Sequence, residues 1–477
     1  MTACRTLLLI LACCAWAPAL AAEKLTPDPA YYHEGELAGS LKTESPLPLY
    51  DADPQHLANR LFAALSIRTS EIPTKRGGLP VRRIEGGDVL DFLAWPGSQY
   101  WSSVETCDRL TRLLDECLAH PDQLRPKDAL PRAILQRDLW AAFDYYAGRN
   151  IARDGDRETR RRRDEVCRRL ARVIERLTLT PAEIAALPDN YAAAIRSGCF
   201  PAKHDFDPTV DYLPHGLLTD ANEWQEIDFF QPKDVTTDIR ERFVTLHTRN
   251  YFGRSYYRIF YRFPAGRPAV ESYLSTFEDL GVDWKRSAQH GSTKLRGDAP
   301  QLPAGSEVAL VQFLMTLDDQ LQPVPTPIVE SIQMRTFRNV DGTANPPTST
   351  GVGMNVYEYT LKRRLLLDGL KCGGLERTPD DQPIYRTIFL GSKAPDWGES
   401  GRSFTLMQDC RRCHTGAGQV GVHTVFSIVH QGGFDAGAQM GASRALAADT
   451  PSPRGPRAAL WKTRHETWRR LLELTDR

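Results

Sequence analysis

The chain has 477 residues, of which 41% are hydrophobic and 25% charged. At roughly 100–200 residues per domain, this is enough for several folding units or one large unit with insertions. Lysine plus arginine equals aspartate plus glutamate at 60 each, so net charge gives no general reason to expect nucleic acid or an anionic membrane as a partner.

Residues 1–21 read as a cleavable signal peptide. Arg5 supplies the positive start, Leu7 to Leu11 and the stretch to Trp16 form a short apolar core, and Ala19-Leu20-Ala21 is a small-x-small cleavage site. That core is shorter than the about 20 residues a spanning helix needs, and no later run is long and apolar enough. The expectation is a periplasmic or secreted protein with no transmembrane segment in the mature chain. A lipoprotein signal ending at Cys13 or Cys14 is the minor alternative.

Residues 22–53, rich in Pro, Gly, Ser and Tyr, read as an extended arm. Residues 54–200 read as a helical domain with four apolar stripes. The first runs through Leu57, Leu61, Leu65 and Ile67; the second spans Val104 to Leu118. The third runs from Leu135 to Tyr146 and the fourth from Val166 to Leu177. Thr180 and Glu183 have capping-box spacing. Nine arginines lie between Asp156 and Arg176. Acidic residues stand three and four positions from many of them, which favours a solvated helix face over an anion-binding patch.

Residues 201–400 read as a mixed, β-rich region. Phe252–Phe263 alternates in part as a half-buried strand does, and a helix is expected near Val270–Phe277. Val308–Thr316 and Ile328–Phe337 read as antiparallel strands joined by a long connection containing Pro323, Pro325 and Pro327, with another strand near Tyr357–Thr360. Residues 401–477 are Gly-rich at first and close with one amphipathic helix over Leu460–Leu474. The fold class expected is mixed α+β: an N-terminal helical domain, a central β-containing region and a C-terminal helical segment.

Cys410-Arg411-Arg412-Cys413-His414 is the specific chemical feature. Two thiols at this spacing can both add to the vinyl groups of one haem, and the histidine that follows is held against the iron as axial ligand. Chance predicts roughly 0.005 such pentads at this composition. Three other readings stay open: a redox-active CxxC disulfide, a zinc site drawing on Cys372, His423 and His430, or a purely structural disulfide.

With Cys413-His414-Thr415-Gly416-Ala417-Gly418 and Gly421-Val422-His423-Thr424-Val425, the segment resembles the c-type cytochromes, and more narrowly the large exported cytochrome-c-like proteins of planctomycetes. The resemblance covers only residues 401–430. It implies one covalent haem c, a helix ending at the motif, and a crossing C-terminal helix containing Trp468. It also implies a sixth ligand from a methionine loop. Here the single downstream methionine, Met440, lacks that loop's usual proline. His423 and His430 are the other candidates, and an open position is a further possibility. Met or His ligation suits electron transfer, whereas an open face suits binding a small oxidant or gas.

Seven cysteines follow the signal segment. Cys107, Cys117, Cys167 and Cys199 are expected to form two disulfides stapling the helical domain, with Cys372 left over. His215, His247 and His290 lack partner motifs, and Trp95, Trp101 and Trp140 read as core. The functional expectation is a mono-haem electron carrier with an unidentified redox partner. The alternatives are a peroxidase-like haem oxidoreductase whose upstream domains bind substrate, and an exported binding protein with a plain CxxC disulfide. Whether the chain is an enzyme stays open.

Overall fold

The computed structural model describes residues 48–66, 68–72, 81–85, 104–148, 156–219, 223–229, 248, 251–279, 285–286, 293–294, 302–338, 354–378, 383–384, 404–405, 443–447 and 450–475. The helical segment comprises α1 (Leu57–Ser66), α2 (Val104–Ala119), α3 (Pro121–Leu124), α4 (Ala129–Ala147), α5 (Arg157–Arg176), α6 (Pro181–Ala185) and α7 (Asn190–Arg196). An antiparallel pair the stripes did not foretell, β1 (Arg68–Ile72) with β2 (Val81–Glu85), lies between α1 and α2. The capping box forms as its spacing predicts: Thr180 Oγ1 accepts from the Glu183 N–H, and Glu183 accepts from the Thr180 N–H. Of the extended arm only its end is described. There the Leu49 and Tyr50 N–H groups donate to Asn59 Oδ1 on α1.

After α7 come β3 (Gln225–Phe229), β4 (Ser255–Arg262), α8 (Arg267–Asp279), the short pair β5 (Lys285–Arg286) and β6 (Thr293–Lys294), β7 (Glu307–Leu317), β8 (Pro323–Phe337), β9 (Met354–Leu361), α9 (Arg363–Leu367) and β10 (Leu375–Arg377). The chain continues through β11 (Pro383–Ile384), paired with β12 (Phe404–Thr405), to β13 (Ser443–Ala445), α10 (Arg454–Arg464) and α11 (Glu466–Leu474). Seven strands form one antiparallel sheet in the order β10-β9-β8-β7-β4-β3-β13. The fold is therefore mixed α+β, and no helix among the described residues is long and apolar enough to cross a membrane.

Two expectations need correcting. The Pro-x-Pro-x-Pro stretch is no connection: Pro323, Pro325 and Pro327 lie inside β8. Proline is tolerated there because β9 pairs only with Ser331–Phe337, so among the described residues the proline half of β8 has no strand partner on that side to receive an N–H. A register shift against β7 at Gln312–Met315 absorbs the irregularity. The closing amphipathic segment is two helices rather than one. His465 ends α10 with extended backbone and caps α11, its ring accepting from the Thr467 N–H.

One core runs without a break from α1, α2, α4 and α5 through β4, β7, β8 and β9 to Ala458 of α10 and Leu471 of α11. A smaller core, including Ile259, Tyr261, Val270, Leu274 and Phe337, lies between the sheet and α8. Helix α4 packs against its neighbours as its stripe leads one to expect, and it is buried on nearly every face from Arg132 to Tyr146, a central rod. Helix α5 is the reverse. Its arginines pair with acids on their own helix (Arg161 with Glu158 and Glu165) and on α2 (Arg162 with Asp108, Arg169 with Asp115), as the solvated-face reading expects.

The cysteine pairing also differs. Cys199 is bonded to Cys372, with Cα atoms 5.7 Å apart across a sequence separation of 173. Helix α7 explains this. Asn190 donates to the carbonyls of Val329 and Gly373 at 3.1 and 2.8 Å and accepts from the Val329 N–H at 2.7 Å. These bonds seat α7 on β8 and on the 3-10 turn Lys371–Gly374. Gly373 must be glycine: its φ is +64°, and a Cβ would lie 2.1 Å from the Asn190 carbonyl. The close approach brings Cys199, just past α7, against Cys372, and not against the other helices. Cys107, Cys117 and Cys167 remain buried thiols.

Candidate functional site

Cys410, Cys413, His414, His423, His430 and Met440 all lie outside the described residues. So do His247, His290, Trp95 and Trp101. What is described is the frame from which the motif-bearing segment 406–442 leaves and to which it returns. It leaves after β12, and it rejoins the large sheet as β13, an edge strand paired to β3 through Ser443–Phe229, Arg444–Asp228 and Ala445–Ile227.

The return is tied down by charge. Arg457 of α10 donates to both oxygens of the buried Asp228 carboxylate at 2.7 and 3.0 Å, and Arg454 donates to the Ile227 carbonyl at 2.8 Å. Ser452 Oγ donates to Glu226 Oε1 at 2.5 Å, and the Leu446 N–H donates to the Glu226 carbonyl at 2.9 Å. Strand β3 therefore holds the chain at Ser443–Ala445 and, through Ser452, Arg454 and Arg457, at the start of α10.

Beside this anchor lies a cavity of about 160 Å³. Its lining includes Trp224, Gln225 and Glu226, Arg258 and Phe260 of β4, Arg267 of α8, and Leu446 and Thr450. Arg258 donates twice to Glu226 Oε2, at 3.1 and 2.7 Å, while its guanidinium lies over the Phe260 ring. Arg267 donates to Glu271 and to the Leu446 carbonyl. Gln225 Nε2 donates to the carbonyls of Glu226 and Leu446, both at 2.7 Å. Trp224 Nε1 and Gln225 Oε1 are buried with no hydrogen-bond partner among the described residues. Leaving each so costs about 1–3 kcal/mol.

The described cysteines constrain the motif chemistry. Cys372 is in a disulfide, so it is not available as a zinc thiolate for the motif. Burial pushes the Cys107 and Cys167 thiols up and the Cys117 thiol up to about 12. Such thiols are inert towards exchange and metal binding. Among the described residues there is no group of three or more metal-ligating side chains.

Two buried polar networks went unnoticed in the sequence. Along α4, Arg137 Nε donates to Glu330 Oε1 at 3.0 Å, and Asp138 accepts from Tyr50 and twice from Arg363 at 2.6–3.0 Å. Asp144 accepts from Lys462 at 2.8–2.9 Å and from Arg254. Burial would raise the Asp144 carboxyl, but Lys462 and Arg254 bring it below its ordinary range. Burial holds the Lys462 ammonium down to about 8, with Asp144 opposing and Arg254 and Arg137 adding repulsion.

The second network joins His204, Tyr212, Arg262 and Glu307. His204 Nδ1 accepts the Phe206 N–H, which places the proton on Nε2, and Nε2 donates to Glu307 at 2.6 Å. Tyr212 and Arg262 also donate to Glu307, each at 3.0 Å. Both imidazole nitrogens are engaged, so this histidine positions the loop after Cys199. His215 likewise bonds the Phe200 carbonyl. Trp140 is core, beneath the Lys462 ammonium. A polar residue within an apolar stripe, such as Asp144 one position after Phe143, was the available signal, but it could not name a partner 318 positions away. Compared with known proteins, the chain matches no family model, no curated protein and no solved structure.

Proposed function

We propose that the chain is an exported mono-haem c-type cytochrome-like protein that passes electrons to or from a partner. Cys410 and Cys413 hold the haem and His414 is its proximal ligand. The observation that carries this is the pentad itself. Two thiols and an imidazole in five residues are the donor set that covalent haem attachment requires.

The cysteine partition supports the same reading. Cys199 and Cys372 are joined and three further thiols are sequestered in the core, so no described cysteine competes for Cys410 or Cys413. A haem bound there supplies one-electron iron chemistry at a potential set by its axial ligands and burial. The chain's own part is mechanical and electrostatic. The β13–β3 pairing and the Arg457–Asp228 bond fix the chain at Ser443–Ala445 and Arg457, the first described residues after Met440, His423 and His430, the candidate sixth ligands.

A peroxidase-like oxidoreductase is the second reading, favoured by the cavity lined in part by Leu446 and Ala447, where the chain rejoins the sheet after β13.

A pyridine haemochrome on protein exported from a host competent in haem maturation tests the proposal. The spectrum of a doubly thioether-linked haem is expected, and it is lost in a Cys410→Ser, Cys413→Ser double variant. Low-spin iron indifferent to cyanide supports the carrier, and high-spin iron that binds cyanide supports the enzyme. A colourless protein with a Cys410–Cys413 disulfide contradicts both.

A further inference from the structure

We infer that the Cys199–Cys372 disulfide is a modification site, a clasp that a dithiol reductant opens on the folded protein, and not a permanent staple. Opening it frees Gly369–Cys372 and the chain at Gly198 and Cys199, while α7 stays seated. The inference stands whatever Cys410 and Cys413 hold.

Access comes first. Cys199 is exposed and Cys372 half-buried. The backbone beside Cys199 is uncrowded, since a Cβ at Gly198 would meet nothing within 4 Å. The core thiols Cys107, Cys117 and Cys167 have no such exposure.

The backbone then sets the direction. Cys372 has φ +48° and Leu370 φ +59°, left-handed values that crowd a Cβ against the following carbonyl. Gly369, Gly373 and Gly374 share that conformation at +67°, +64° and +74°, but glycine adopts it freely. While the bond is closed, Cys372 cannot leave its crowded conformation without pulling on Cys199. Once it is open Cys372 can relax, and that relief favours the reduced form. Exposed disulfides on strained backbone are the labile ones.

The fold does not hang on the bond. Asn190 makes three hydrogen bonds of its own, two with Val329 and one to Gly373, so α7 keeps its place on β8. Reduction is an ordinary exchange. A thiolate of the reductant attacks Cys199 Sγ, forming a mixed disulfide and expelling the Cys372 thiolate, which takes up a proton. The reductant's second thiol attacks that mixed disulfide and expels Cys199, which takes up another. Two electrons and two protons pass to the protein, and the reductant leaves as its own disulfide.

Treatment with dithiothreitol, followed by alkylation and peptide mass, tests this in the mature Cys410→Ser, Cys413→Ser chain, where no motif disulfide can compete. In buffer without urea the bond should open at no less than about a hundredth of its rate in denaturing urea. A bond reached only through global unfolding would lag by about a thousandfold or more. Thioredoxin whose resolving cysteine is serine should be captured on Cys199. After reduction, amide hydrogen exchange at Gly369–Cys372 should quicken at least about tenfold while α7 keeps its protection. The inference is overturned by a lag greater than about a hundredfold, by capture on Cys372, by unchanged exchange at Gly369–Cys372, or by loss of protection in α7 along with the turn.

Discussion

Asp144→Asn should be among the most damaging single changes in the described part of the molecule. The carboxylate lies fully buried between Lys462 of α10 and Arg254, and its removal leaves two cations in the core. Their responses differ. Lys462 can shed its proton; with Asp144 present it is held at about 8, and losing that carboxylate lowers it further, so deprotonation at neutral pH costs about 1 kcal/mol at most. Arg254 keeps its charge, and a buried ion stripped of its partner costs about 3–5 kcal/mol. Glu330 lies close enough to offset part of this, so the expected loss is about 4 kcal/mol. Lys462→Met should cost less, about 1–2 kcal/mol, because Arg254 still neutralises Asp144 and the methionine fills the space over Trp140. Urea unfolding followed by circular dichroism gives both values, and limited proteolysis should show α10 and α11 released first in Asp144→Asn. The sign of the pH effect is also set. A folded-state lysine at about 8 against 10.5 unfolded means the unfolded state binds more protons between those values. Wild-type stability from this group therefore rises as pH climbs from about 8 to about 10. Equal costs for the two variants, or a larger one for Lys462→Met, would refute the reasoning.

Breaking the Cys199–Cys372 bond by double serine substitution should cost about 2–5 kcal/mol, since it closes a loop of 173 positions, and should lower the urea midpoint under non-reducing conditions only. Cys107, Cys117 and Cys167 should resist alkylation in the folded protein and react on unfolding; rapid native labelling counted by peptide mass would contradict their burial. Burial opposes ionisation of Glu307, but His204 and Arg262 hold its carboxyl below the ordinary range. Its stabilisation is thus present above the unfolded value, near 4.5, and is lost as pH falls through the folded one. Glu307→Gln should flatten acid destabilisation below about pH 5, and an unchanged acid limb would count against this.

Helices with a clean apolar stripe were legible because burial on one face writes the 3.6-residue period directly: α1, α2 and α5 fall where Leu57, Val104 and Val166 and their successors predict. Strands β7, β8 and β9 were legible by their β-branched and aromatic runs. The failures share a cause, long-range context. Pro323, Pro325 and Pro327 look like loop residues until one sees that β9 leaves that edge of β8 open. Cys199 looks like a helical-domain staple until Asn190 seats α7 on a turn 183 positions away. The break at His465 depends on a single extended residue. The cavity was illegible for the same reason, since Trp224, Arg258, Arg267 and Leu446 converge only through sheet pairing. The pentad stands apart, because five consecutive residues need no tertiary information to suggest their chemistry.

The most direct test of the central claim is the intact mass of the mature protein, purified from the periplasm of a host with a c-type haem maturation system and measured under denaturing, reducing conditions. The account predicts polypeptide plus one haem, returning to bare polypeptide when Cys410 and Cys413 are both serine. Wild-type protein with the mass of polypeptide alone, in a preparation where a control cytochrome carries its haem, would contradict it.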